Sequence, residues 1–153
     1  MKRFALLALF VIAACSSGAP KQAGPKASIP EPELSLEQVH GPAQENYAGG
    51  RTEIKYELTV SNKADVPMTL RRLTLRSVNP AGGAYSLIGP FDHYFNQTVP
   101  PHGEAIVLFW SKAVFYGRSP REAEPVTVQG TAYFETPAGY VNKVFVADLS
   151  QYD

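Results

Sequence analysis

The alternation of apolar and polar residues over Thr52–Val60 most strongly restricts the fold of this chain. Every second residue is apolar, and the residues between them are charged or polar. A period of two over nine residues predicts a strand with one buried face. No stretch of the sequence shows helical periodicity over three turns, so we expect an all-β fold. The apolar positions are Ile54, Tyr56, Leu58 and Val60.

Further segments repeat this pattern. A first strand is expected from Leu34 to about Val39, ending at the turn His40–Pro42. Another carries Val66, Met68 and Leu70 on one face, and the alternation then resumes one residue late at Leu73 and Leu75. A β-bulge across Arg71 and Arg72, or a strand that bends from one sheet to the other, produces this phase change. Additional strands are predicted at Tyr85–Ile88, Tyr94–Val99, Glu104–Ser111, Val126–Glu135 and Tyr140–Leu149.

The spacing of the turns predicts the architecture. Polar or proline- and glycine-rich segments separate the strands, and Thr136–Gly139 is typical of a hairpin turn. Short strands with turns at roughly 8–12-residue spacing predict an antiparallel β-sandwich, Ig-like or Fn3-like, of about seven to nine strands. A closed barrel is the second architecture compatible with the pattern.

The segment Glu104–Ser111 differs from the other strands because both of its faces are apolar. Such a strand is either central and covered on both sides, or it leaves an aromatic patch exposed. Its aromatic residues are Phe109 and Trp110.

The first fourteen residues have the organisation of an export signal. Lys2 and Arg3 precede eleven apolar residues, which are too few to span a bilayer at about 20 residues per crossing. Cys15, the only cysteine, follows at once. An ordinary cleaved signal with an incidental cysteine, or a buried cysteine, is the alternative reading.

Ile12-Ala13-Ala14-Cys15 resembles the lipobox of bacterial lipoproteins. The resemblance implies cleavage between Ala14 and Cys15, a diacylglyceryl group on the Cys15 thiol, and a cell-envelope location anchored in a membrane. Two or three acyl chains would anchor the protein stably. Ser16 stands where an aspartate tends to mark retention in the inner membrane, so the resemblance favours the outer membrane, facing the periplasm.

Residues 15–32 are expected to form a tether. Ser16–Pro32 contains four prolines, two glycines and one large apolar residue, Ile29, and cannot build a core. Fully stretched, it would reach about 55–60 Å. The folded domain is then expected over residues 33–153, in one core without an internal disulfide.

The charge balance gives no sign of a nucleic-acid partner. The chain has 14 basic and 14 acidic side chains, and removal of Lys2 and Arg3 with the signal leaves 12 against 14, a formal net charge of −2.

No motif of catalysis is present in the sequence. His40, His93 and His102 lack metal-ligand spacing, and no nucleophile elbow, phosphate-binding loop or dinucleotide fingerprint occurs. The adjacent Asp92 and His93 point to opposite faces of a strand. We therefore expect no enzyme activity, no cofactor and no metal.

Three segments in order resemble the Ig-like domain of the type 2 late embryogenesis abundant (WHy) proteins and related bacterial envelope domains. They are Glu57–Leu75, Val99–Phe109 and Pro125–Thr136, the last with a Val-x-Gly-Thr pattern. The resemblance implies an Ig-like fold and a stress-protective or binding role.

A loop after the doubly apolar strand, Val114–Arg121, is the best candidate for binding a partner. Phe115, Tyr116, Arg118 and Arg121 give it the composition of an interface hot spot. In the alternative interpretation, Phe115 and Tyr116 close one end of the sandwich while the arginines face solvent.

Three functions fit these observations. The first is a non-catalytic envelope lipoprotein whose sandwich binds a protein partner or supports envelope assembly. The second is a stress-protective WHy-like domain. The third is a carbohydrate-binding sandwich that uses Trp110 and nearby tyrosines as stacking platforms.

Substitution of Cys15 tests the predicted anchor. Cys15→Ser removes the thiol to which the acyl group would be attached, so we expect loss of incorporated radiolabelled palmitate and release of the protein from membranes. Acyl labelling equal to that of the unmodified protein would contradict the lipoprotein assignment.

Overall fold

The computed structural model describes residues 29–41, 50–78, 83–116 and 124–149, and this part of the chain contains eight strands and no helix. The strands are β1 (Glu33–His40), β2 (Arg51–Ser61), β3 (Met68–Ser77), β4 (Tyr85–Leu87), β5 (Phe91–Val99), β6 (Glu104–Phe115), β7 (Val126–Thr136) and β8 (Gly139–Leu149).

The strands form two four-stranded sheets. One has the order β1-β2-β6-β4 and the other the order β5-β3-β7-β8, and every strand pair within them is antiparallel. Buried side chains from both sheets make one hydrophobic core. The predicted all-β, Ig-like or Fn3-like antiparallel sandwich is confirmed.

Strand β2 buries the face that its sequence predicts. Its four alternating apolar side chains are at most 1% exposed, and it pairs with β6 without interruption from Arg51↔Val114 to Ser61↔Glu104. Full burial of a side chain of this size contributes about 1.5–3 kcal/mol. Because every side chain would change face if the register slipped by one residue, this burial also fixes the β2–β6 register.

The phase change in β3 is a β-bulge. Its register with both β5 and β7 shifts between Leu70 and Arg72. Against β7, Arg71 is the extra residue, whereas against β5 the extra residue lies on β5, between Tyr94 and Gln97. Leu70 and Leu73, on either side of the bulge, are both fully buried. The bulge thus keeps two differently phased segments in the same core.

The arginines of β3 each bind a different partner and face solvent. Arg71 Nε donates a hydrogen bond of 2.7 Å to Glu135. The Arg72 guanidinium carbon lies 4.0 Å from the centroid of the Tyr133 ring. These contacts tie β3 to its neighbour β7 and do not create one basic patch.

Gly130 allows β7 and β8 to pack closely. A Cβ atom at this position would overlap the ring of Phe145 and approach Leu75 to 3.0 Å. Phe145 lies directly opposite Gly130 in the β7–β8 ladder. The glycine of the Val-x-Gly-Thr pattern therefore provides room for an aromatic ring that covers the core.

Asn62 joins two turns at one end of the sandwich. Its side-chain Nδ2 donates hydrogen bonds to Val66 O at 2.8 Å and Pro100 O at 3.0 Å, and its Oδ1 accepts one from the Ala64 N–H at 2.9 Å. Its backbone N–H donates to Gly103 O at 2.9 Å. The side chain is buried, and these bonds satisfy it.

The segment before β1 contacts the sandwich. Ile29 packs against the core, and Lys143 Nζ lies 2.6 Å from Glu31 Oε2. Two residues of the predicted tether, 15–32, thus touch the folded domain, while residues 1–28, including the predicted signal and Cys15, lie outside the described part. Within the described ranges, no helix is long and apolar enough to cross a membrane.

A charge on the inward face of β2 should unfold the domain. Leu58 is fully buried, so Leu58→Asp would place a carboxylate in the core without a partner. We expect the free energy of unfolding to fall by about 4 kcal/mol or more, measured by urea denaturation.

Thr59→Asp is the matched control for Leu58→Asp, since it adds the same charge to the opposite face of the same strand. We expect this variant to retain most of the original stability. A native urea midpoint for Leu58→Asp would show that the assigned inward face is wrong.

Candidate functional surface on strand β6

Strand β6 leaves one apolar face exposed. Its inward side chains Val107 and Phe109 are buried in the core. Its outward side chains Ile106, Leu108 and Trp110, here called the apolar stripe, are 55%, 53% and 48% exposed. Of the two outcomes that the sequence left open for this segment, the structure has the exposed aromatic patch.

Contacts from neighbouring strands hold the indole of Trp110 in place. Lys55 Nζ, directly opposite on β2, lies 5.8 Å from the centroid of the Trp110 ring, within cation–π range. The ring of His40 on β1 packs edge-on against it, with the centroids 5.8 Å apart. Because these contacts already restrict the indole, a ligand that packs on Trp110 would lose less side-chain entropy.

Charged residues border the apolar stripe. Exposed Glu104 and Lys112 lie at its two ends on β6, and Glu57 faces Leu108 from β2. An apolar centre with a charged rim is typical of protein interfaces. The centre of this surface carries no charge, so it suits an uncharged, apolar part of a ligand.

A partly buried serine–histidine contact lies between the two sheets. His93 Nε2 of β5 is 2.7 Å from Ser111 Oγ of β6. The His93 ring is half-buried, with its centroid 4.6 Å from that of Phe109 and 6.0 Å from that of Phe91. Burial lowers the pKa of His93, and the nearby Asp92 carboxylate opposes this shift.

This contact does not have the arrangement of a catalytic triad. Asp92 accepts a hydrogen bond of 2.6 Å from Thr74 Oγ1, and as the neighbour of His93 on β5 it points to the opposite face of the strand. Ser111 is only 2% exposed and could not reach a substrate without opening of the core. The contact instead gives each of these two polar side chains a hydrogen-bond partner among aromatic rings.

A buried chain of tyrosine hydroxyls satisfies further polar groups of the core. Tyr56 Oη and Tyr85 Oη are 2.9 Å apart, and Tyr85 Oη donates to Gln38 Oε1 at 2.6 Å. Burial raises the pKa of Tyr56. The chain links β1, β2 and β4 within one sheet.

The described residues contain no group of three or more His, Cys, Asp and Glu side chains that could hold a metal ion. The other two histidines have separate surroundings. His102 Nε2 is 2.7 Å from Asp65 Oδ1 at the surface, and His40 contacts Trp110.

The first part of the candidate loop belongs to strand β6. Phe115 is the last residue of that strand and is 5% exposed, so it closes the core and offers no side chain to a partner. Tyr116 is 38% exposed, and its Oη lies 2.6 Å from Ser86 Oγ. Arg118 and Arg121 lie outside the described residues, as do Ala14 and Cys15.

Two features of this region could not be read from the sequence. The doubly apolar pattern of β6 leaves open whether one face is exposed, and only the packing of Phe109 against His93 and Phe95 determines which face it is. The partner of His93 is Ser111, eighteen residues away on the other sheet, and no local spacing indicated it.

One of two similar solved structures supports the fold, with a TM-score above 0.5. Neither a protein-family model nor a curated protein sequence matches the chain. A structural-genomics target solved by X-ray crystallography is similar to it with a TM-score of 0.52 at 14% identity, over 79% of this chain and 86% of that one. A protein from Archaeoglobus fulgidus has a TM-score of 0.47 at 14% identity, over 78% and 93%.

The depressed pKa of His93 predicts a pH-dependent stability. The unfolded chain binds a proton near the ordinary pKa of 6.5, whereas the folded chain does so only at lower pH. The unfolded state therefore binds more protons between these two values, and the free energy of unfolding should fall as the pH drops through that window.

His93→Gln is the control because it removes the titrating group and retains a side-chain amide near Ser111. Urea denaturation at several pH values should show a smaller loss of stability in this variant than in the original protein. Equal pH dependence in the two would mean that His93 does not contribute to it.

Proposed function

We propose that this protein is a non-catalytic cell-envelope lipoprotein whose β-sandwich binds a protein partner, or supports envelope assembly, through the apolar stripe. The exposure of Ile106, Leu108 and Trp110 in a row on one strand is the observation on which this proposal depends. About half of each side chain is already buried, so a partner that covered the rest would gain roughly half of the 1.5–3 kcal/mol that complete burial contributes, about 1 kcal/mol for each.

The composition of the stripe supports a protein ligand. Tryptophan is enriched among the residues that dominate interface energies, and here it is held by Lys55 and His40. The outward face of β8 in the other sheet also exposes Tyr140, Val144 and Val146, but the polar Asn142 separates the tyrosine from the two smaller valines. The stripe is therefore the better candidate.

The location is proposed from the N-terminal sequence. Lipidation of Cys15 would anchor the chain in a membrane, with the outer membrane favoured by Ser16 and the domain facing the periplasm. The contacts of Ile29 and Glu31 would fix the point at which the tether joins the domain. The proposal requires no cofactor.

Carbohydrate binding is a second candidate, because Trp110 is exposed and could stack against a sugar ring. Trp110 is the only tryptophan in the chain, so its fluorescence reports directly on this surface. Unchanged emission during titration with soluble envelope oligosaccharides would exclude this candidate.

Site-specific photocrosslinking in living cells tests the protein-binding proposal. We expect benzoylphenylalanine in place of Trp110 to form a covalent adduct with a discrete envelope protein, identified by mass spectrometry. The matched control is the same substitution at Tyr140, an 82% exposed aromatic residue on β8 of the other sheet.

The comparison of the two positions decides the result. An adduct from position 110 that is absent from position 140 would support the proposal. No adduct at position 110, or the same adducts at both positions, would contradict it. An adduct of twice the mass of the chain would identify a second copy and not a separate partner.

A further inference from the structure

The first half of β6 is a sheet edge. Strand β4 pairs only with Ala113–Phe115, and the Ile88 N–H donates to Lys112 O at 3.0 Å, so these positions of β6 are covered. Along Glu104–Trp110, β2 occupies one side of β6, and none of the described strands pairs with the other side. This other side is here called the open edge.

The open edge exists because the chain changes sheets after β4. Gly89 has a positive φ of 69°, which glycine adopts readily, and Pro90 has no N–H to donate. The strand that follows, β5, pairs with β3 in the other sheet. The segment that could have continued β4 beside β6 therefore extends the opposite sheet.

The inward side chains near the open edge are incompletely covered. Strand β1 contacts β8 at one side of the sandwich, so the strand order brings β5 across from the open edge at the other side. Phe95 of β5 and Ala105 of β6 point inward but are only partly buried, whereas Leu70 and Leu73 of the adjacent β3 are fully buried. Side chains from an added strand would complete the cover of Phe95 and Ala105.

The backbone of the stripe residues points to the open edge. Successive residues of an antiparallel strand direct their N–H and C=O groups alternately to one neighbour and the other. Lys112 O bonds on the β4 side, away from β2. Ile106, Leu108 and Trp110 have the same parity as Lys112, so their backbone donors and acceptors face the open edge.

The open edge lacks the features by which other edges avoid pairing. On β8, the inward-facing Lys143 places a charge at the edge, and on β1 the register is broken between Gln38 and His40. Between Glu104 and Lys112, β6 has no charge, no proline and no bulge. An edge of this kind is a template for strand addition.

We propose that an extended segment of the envelope partner adds to the open edge as an antiparallel strand beside Glu104–Leu108. This inference rests on the proposed function and specifies how the partner binds. The added strand would pair with the free backbone groups of the edge, and antiparallel pairing is slightly more stable per residue than parallel pairing. It would lie clear of the crossing at Gly89 and Pro90, so the bond between Ile88 and Lys112 stays intact.

The surroundings of the open edge specify the side chains of the segment. Its inward side chains would contact Phe95 and Ala105, so they should be apolar. Its outward side chains would lie beside Ile106 and Leu108, so they should be apolar as well. The exposed Glu104 forms no ion pair among the described residues, so a lysine or arginine is expected beside it. In an antiparallel strand this basic residue follows the apolar ones.

A synthetic peptide of this composition tests strand addition on the purified full-length protein in mild detergent. The probe is acetyl-Val-Tyr-Val-Phe-Val-Lys-Lys-amide, added to saturation. We expect amide hydrogen exchange at Ile106 and Leu108 to slow by at least tenfold, because these N–H groups acquire acceptors. Val107, whose backbone groups face β2, should change little. Unchanged exchange at Ile106 and Leu108 would overturn the inference.

Two N-methylated forms of the peptide are the matched controls, since they keep every side chain and remove alternate N–H donors. One form is methylated at the three valines, the other at the tyrosine, the phenylalanine and the first lysine. Only one of these sets can face β6 in an added strand, so one form should lose the protection and the other should retain it. Loss with both forms, or retention with both, would contradict strand addition.

Leu108→Pro tests whether the envelope partner uses the open edge in cells. Proline removes the edge-directed N–H and leaves the bonds between β6 and β2 in place, as at other sheet edges. Leu108→Ala is the matched control, because it shortens the same side chain and retains the N–H. We expect Leu108→Pro to reduce the photocrosslinked adduct from position 110 at least tenfold more than Leu108→Ala does. Similar urea midpoints of the two variants establish that both are folded, and the peptide experiment needs no substitution.

The outcomes separate this inference from the proposed function. Loss of the adduct in Leu108→Pro, together with protection by the peptide, supports both. Equal adducts in the two variants leave the proposed function standing and overturn strand addition. No adduct from position 110 in the original protein contradicts the proposed function, and the peptide then decides alone whether β6 accepts a strand. An adduct of twice the mass of the chain would assign the edge to a second copy and overturn the inference.

Discussion

A strand in a two-layer sandwich can bury only one of its faces, and β6 is apolar on both. The core takes Val107 and Phe109, and β2 fixes the register along the whole strand. Ile106, Leu108 and Trp110 are consequently left in solvent. This constraint creates the candidate binding surface, since nothing on the outer side of the sheet covers these side chains among the described residues.

The same strand meets a second constraint at its edge. Strand β4 is only three residues long and covers one end of β6, so the backbone beside the stripe lacks a neighbouring strand in the described structure. An exposed apolar face and an open edge on one segment favour association.

The sequence determined the fold where local alternation was sufficient. The inward face of β2 and the bulge near Arg71 follow from period-two patterning, and both are confirmed. The apolar alternation predicts that β6 ends at Ser111 and places Phe115 in the loop that follows, whereas the strand continues to Phe115 and buries it.

Features that depend on contacts between distant strands were not predictable. Asn62 looked like an ordinary turn residue, but its side chain joins two turns separated by more than thirty residues. The contact between His93 and Ser111 likewise depends on how the two sheets stack. The lipid anchor, Arg118 and Arg121 remain predictions of the sequence, because they lie outside the described residues.

Residue-resolved amide hydrogen exchange of the full-length protein tests the central claim about β6 most directly. Val107 and Phe109, whose backbone groups face β2, should be protected at every protein concentration. The Ile106, Leu108 and Trp110 amides should exchange much faster, because none of the described strands pairs with that side of β6. Protection of these three amides equal to that of Val107 and Phe109 would contradict the open edge.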